Sequence, residues 1–89
     1  MYVHLGQDYI VPVRSIIGIF DMDTATVSKH TRAFVARMER EAKAVALFED
    51  LPKSAVLCET ALGERLYISQ ISTATLAQRV ERLQKGEFA

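Results

Sequence analysis

Ser54-Ala55-Val56-Leu57-Cys58-Glu59, then Ala61-Leu62-Gly63-Glu64, then Arg65-Leu66-Tyr67-Ile68-Ser69 is the stretch that decides the fold. The first segment reads as a strand, the second as a hairpin connection containing a glycine, and the third as the return arm. Just upstream, Ala44-Val45-Ala46-Leu47-Phe48 is a further strand, set off by the polar turn Glu49-Asp50-Leu51-Pro52-Lys53. Before it the period changes. Val27, Thr31, Phe34, Val35, Met38 and Ala42 recur at spacings of three and four, which predicts a helix over 27–43. Thr26 or Ser28 can cap its start, and Lys29, Arg32, Arg40 and Lys43 lie away from the apolar stripe. Further out, Ser15-Ile16-Ile17-Gly18-Ile19-Phe20 is β-branched and aromatic, the composition of a buried strand, and ends at Asp21-Met22-Asp23-Thr24. Tyr2-Val3-His4-Leu5 is a short strand closed by Gly6-Gln7-Asp8; Tyr9-Ile10-Val11 resumes it, and Pro12 marks an edge, a bulge or a turn. Downstream, Ser72-Thr73-Ala74-Thr75 offers a cap for Leu76, Ala77, Val80 and Leu83 at helical spacing. Strands, helix, strands, helix make an α+β chain: a small, mostly antiparallel sheet with one central helix and a C-terminal helix.

A chain of 89 residues leaves room for one small domain, expected over 1–85 with 86–89 as a short tail. Hydrophobic residues make up 49% and charged residues 25%, a globular composition that excludes a disordered tail. No apolar run approaches the ~18 residues of a membrane span, and the amino terminus has neither the basic nor the apolar region of a secretory signal. Cys58 is the one cysteine and cannot make an internal disulfide. The expected location is therefore cytoplasmic. Eleven basic residues balance eleven acidic ones, so no basic footprint covers the whole chain. The charge is segmental: Lys29, Arg32, Arg37, Arg40 and Lys43 outnumber Glu39 and Glu41 along the predicted central helix, while the flanking segments are net acidic. A mean hydropathy of +0.08 in so small a chain leaves more apolar surface than one sheet and one main helix cover, which predicts a homo-oligomer.

Several apparent motifs fail on chemical grounds. Phe20-Asp21-Met22-Asp23 resembles the nucleophile motif of haloacid-dehalogenase-type phosphatases, but Thr24 stands where that chemistry needs glycine, and so short a chain cannot build the doubly wound domain. Two acids near a helix N-terminus are the simpler reading. His4, His30 and Cys58 stand at no ligand spacing, so no metal and no cofactor are expected. No nucleophile triad or phosphate loop is present. The reading is of a non-enzyme with no small-molecule substrate and no membrane partner. The hydroxyl run Ser69-Gln70-Ile71-Ser72-Thr73-Ala74-Thr75 caps the last helix and additionally suits a phosphate or subunit contact.

Four blocks stand in an order and spacing similar to those of one small family: Tyr2-Val3-His4-Leu5-Gly6, Ile16-Ile17-Gly18-Ile19-Phe20-Asp21, Pro52-Lys53-Ser54, and Tyr67-Ile68-Ser69-Gln70-Ile71-Ser72-Thr73-Ala74-Thr75-Leu76. Over roughly residues 1–80 the chain resembles the RemA/RemB-like extracellular matrix regulators, of the RemB type. The resemblance implies a LytTR-like fold and a cytoplasmic bacterial protein that assembles as a homo-oligomeric ring. For the RemA branch it implies binding of double-stranded DNA in the transcriptional control of biofilm matrix genes. The chain departs from that branch at two places. Ser15 stands where RemA-like chains have an arginine, with Arg14 one residue earlier, and Glu49-Asp50-Leu51-Pro52-Lys53 is acidic where they carry an arginine pair. By proximity Arg14 and Lys53 take the DNA-contacting positions, joined by the helix residues Lys29 and Arg32. The alternative is a ring-forming structural or protein-interaction module without DNA binding.

Overall fold

The computed structural model of the chain describes residues 1–22 and 28–86. Strands β1 (Tyr2–Gly6) and β2 (Tyr9–Pro12) pair antiparallel as a two-stranded hairpin of their own. After a 3-10 turn over Val13–Ser15 come β3 (Ile16–Asp21), α1 (Lys29–Arg40), β4 (Ala44–Leu47), β5 (Ser54–Thr60), β6 (Gly63–Ser69) and α2 (Thr73–Gln84). The four later strands form one sheet in the order β3-β5-β6-β4. In β5, Ala55 and Leu57 join the cluster under α1 with Val35, Met38, Leu66 and Ile68, while Val56 and Cys58 join the cluster beneath the hairpin and α2 with Val3, Leu5, Val11 and Leu76. Successive side chains point to opposite faces, so the unbroken apolar run Ala55–Cys58 marks a strand covered on both sides. The molecule is three-layered: α1, the sheet, then the hairpin with α2.

The pairings β3–β5 and β5–β6 are antiparallel, in keeping with the mostly antiparallel sheet read from the sequence; β4 joins β6 in parallel, after crossing over through β5. The β5–β6 connection is tighter than 61–64, because Gly63 and Glu64 already pair with Thr60 and Glu59. Ala61 and Leu62 alone make the turn, closed by Thr60 Oγ1 donating to Gly63 O at 2.6 Å. Ser15, expected within a strand, instead ends the 3-10 turn, its Oγ donating to Pro12 O at 2.7 Å.

Helix α1 is shorter than 27–43 at both ends. Ser28 caps it, accepting from Thr31 N at 3.0 Å; Thr26 and Val27 lie outside the described residues. It stops at Arg40 because Ala42 turns left-handed at φ 58°, letting Lys43 N donate to Met38 O at 2.8 Å and Ala42 N to Glu39 O at 3.1 Å. These are the two bonds of a Schellman ending, which ordinarily places glycine at that residue. We expect Ala42→Gly to raise stability by about 0.5 to 1 kcal/mol, since relief of the left-handed conformation outweighs the entropy added to the unfolded chain. A urea midpoint below that of the parent would contradict this. Ser72 caps α2 by accepting from Thr75 N at 3.2 Å, as the hydroxyl run predicts. Ser69, in the same run, does something else. It is fully buried opposite Ser54, donates to Leu5 O at 2.5 Å and accepts from Ile71 N at 3.0 Å, while Ser54 Oγ donates to Ile71 O at 2.8 Å. The serine pair ties the hairpin and the entry to α2 onto the end of the sheet.

Candidate nucleic-acid interface

Lys53 is held by its backbone. Its N–H donates to Ser69 O at 2.8 Å and its carbonyl accepts from Met22 N at 2.9 Å, which fixes it where β3 ends and β5 begins. Its side chain is exposed. Helix α1 points its first turn toward the same end: Phe34 lies 6.3 Å, centroid to centroid, from Phe20 near the close of β3, whereas Met38 reaches Lys43 and the middle of β6. Lys29 and Arg32, both exposed on that first turn, therefore share an end of the domain with Lys53. The unsatisfied amides of the helix start add positive partial charge there.

Arg14 does not join them. Ile16 pairs with Cys58 and Asp21 with Ser54, so the ladder separates Arg14 from Lys53 by its whole length, about 17 Å at ~3.4 Å per residue. Among the described residues, the side chains of Arg14, Lys29, Arg32 and Lys53 make no ion pair and no hydrogen bond. Farther along α1, Glu41 pairs with Arg37 at 3.8 Å and with Lys43 at 3.2 Å, which neutralises the C-terminal end of the basic face. Exposed pairs of this kind contribute at most about 1 kcal/mol each.

Two surface features escape a reading of the sequence. Arg14 stands on the rim of an open cleft of about 490 Å³ walled by Tyr2, Pro12, Val13, Ile16 and Gln84. At the opposite end, Leu51 is 75% exposed between the exposed acids Glu49 and Asp50 and the half-buried Pro52. The cleft joins residues from β1, the 3-10 turn, β3 and α2, a convergence that no local pattern signals.

The other candidates lie apart. Asp21 ends β3, and Asp23 is outside the described residues. His4 is exposed on β1 and His30 sits in the first turn of α1, on opposite faces of the sheet. Among the described residues no group of three or more His, Cys, Asp or Glu is placed to hold a metal ion, and no helix is long and apolar enough to cross a membrane.

Cys58 is 0% exposed, and burial pushes its thiol above the ordinary range, with a hydrogen bond to Ser15 opposing the shift. Thiolate, the reactive form, is thereby suppressed. We expect iodoacetamide to leave Cys58 unlabelled in the native protein near pH 8.5 and to label it readily in urea; rapid native labelling would contradict the burial. The unfolded thiol ionises from about pH 8.5 while the folded one stays protonated, so the unfolded chain binds fewer protons and stability falls as pH rises past that value.

No family model matches the chain. It is 35% identical over 81 residues to "Extracellular matrix regulatory protein B" of Bacillus subtilis (strain 168), and the alignment spans 91% of each protein. Identity of that level along nearly the full length of both sequences establishes kinship, and the chain belongs to the family of extracellular matrix regulatory protein B.

Proposed function

We propose that the protein is a bacterial, cytoplasmic regulator of extracellular matrix genes that binds double-stranded DNA as a homo-oligomeric ring and carries no enzymatic activity. The observation that supports this most directly is the grouping of Lys29, Arg32 and Lys53, all exposed and free of ion pairs among the described residues, at one end of a domain with no net charge. Such a patch suits phosphate contact, which is independent of base sequence and falls with salt. Arg14, at the far end of the β3–β5 ladder, stands outside this patch, and repetition of the patch around a ring multiplies contacts that are individually weak.

Fluorescence anisotropy with a labelled duplex tests the reading. Binding should fall steeply between low and physiological salt. Alanine at Lys29, Arg32 and Lys53 together should reduce the slope of log K against log salt by about 2 to 3, near 0.9 per phosphate contact. An unchanged slope would remove these residues from the interface. No binding at low salt would favour the second reading, a ring-forming interaction module, which the exposed acids Glu49 and Asp50 beside Lys53 support.

A further inference from the structure

We propose that copies of this chain associate head to tail, with the Glu49–Lys53 loop of one copy seated in the Arg14 cleft of the next. Leu51 enters between Tyr2, Val13 and Ile16, and Glu49 and Asp50 face the guanidinium of Arg14. The inference rests on the homo-oligomer reading above and supplies the contact that reading lacks.

The two surfaces complement each other in shape and charge. Leu51, 75% exposed, is a large apolar side chain with acids on the two preceding positions. The cleft has mostly apolar walls, and at its rim stands Arg14, unpaired among the described residues. The loop is also pre-organised. Glu49 N donates to Gln70 Oε1 at 3.3 Å, the backbone of Lys53 is bonded to Ser69 and Met22, and Pro52 restricts Leu51 to extended conformations. Little ordering entropy is then lost on docking.

Placement does the rest. Loop and cleft lie at opposite ends of the β3–β5 ladder, so a copy cannot fill its own cleft, and the contact joins two different patches. Contacts of that kind repeat from copy to copy and close into rings when the rotation allows. The same seating carries Arg14 of one copy to the Lys53 end of its neighbour, a meeting that no single copy achieves.

Arg14→Glu destroys the cleft and Leu51→Asp the loop, and both positions are exposed, so the fold should survive, as an unchanged circular dichroism spectrum and melting point would verify. Light scattering after size exclusion, on nuclease-treated protein, should find the parent assembled and each variant monomeric at 10.0 kDa. An equimolar mixture of the two variants should form a heterodimer of twice that mass, because one intact cleft and one intact loop remain. Parent protein that stays monomeric would overturn the oligomer reading itself. A parent that assembles, with variants that also assemble or whose mixture fails to pair, would leave oligomerisation standing and overturn this contact.

Discussion

Leu66→Ala should lower the stability of the domain by about 3 to 5 kcal/mol, the range for a fully enclosed leucine whose site cannot collapse. Leu66 is 0% exposed at the middle of β6, paired across to Leu57 on β5 and to Ala44 on β4. Its side chain lies under α1 with Val35, Met38 and Ile68. The backbone around it is held from both sides, with Leu66 N donating to Lys43 O at 2.8 Å. A strand so fixed cannot move to fill the void. Domains of this size have ~5 to 10 kcal/mol in total, so the variant should retain at most about 70% of it and melt about 12 to 40 °C lower. Leu62→Ala, on the exposed turn of the same hairpin, should change stability by less than about 0.5 kcal/mol. Urea denaturation of the pair measures the difference, and equal midpoints would mean that Leu66 is not the keystone its position implies.

The hairpin that carries Leu66 is legible in the sequence, and that distinguishes what local pattern carries from what it does not. The hairpin of β5 and β6, the 3.6-residue stripe of α1 and the caps at Ser28 and Ser72 are local signals, and the elements form where those signals lie. The termination of α1 is not local in that sense. No glycine announces it, and the left-handed turn at Ala42 is imposed by the need to lead the chain into β4. The parallel pairing of β4 with β6 is likewise invisible, because hydrophobic alternation fixes which face a strand presents and not which neighbour it joins.

The candidate site was legible as a set of residue types and illegible as an arrangement. Arg14 and Lys53 look equivalent in the sequence, each standing just before an apolar strand. Antiparallel pairing of those strands sends the two to opposite ends of the molecule, while the path of α1 brings Lys29 and Arg32 to the end that Lys53 occupies. In the sequence Leu51 is one residue of a polar turn. Its exposure becomes informative only beside a cleft that gathers residues from both termini of the described chain.

Ser69→Ala should have the second-largest effect, about 2 to 4 kcal/mol, although it removes one oxygen atom. That hydroxyl is shared between Leu5 O and Ile71 N, and both backbone groups would be left without it, the first fully buried and the second half-buried. An orphaned buried group costs about 1 to 3 kcal/mol, far more than the net value of an ordinary hydrogen bond. The loss should be regional. The hairpin shares no strand pairing with the main sheet, so side-chain packing, the Ser69–Leu5 bond and the bond from Arg79 Nη1 to His4 O at 3.1 Å are what dock it. Gly6 makes the close approach possible: at φ 138°, a Cβ there would stand 3.3 Å from Leu47 O. Hydrogen exchange should therefore accelerate most at the amides of β1 and β2 and least in β5. Ser72→Ala, which removes the α2 cap alone, should cost about 1 kcal/mol without that regional pattern. Uniform acceleration across β1 and β5 would show that the hairpin and sheet unfold together and that Ser69 is not the hairpin's particular tie. Because Tyr2 and Pro12 wall the Arg14 cleft, a loosened hairpin should also weaken the proposed head-to-tail contact at protein concentrations where the variant remains folded, so that a buried hydroxyl and that proposed contact are tested together.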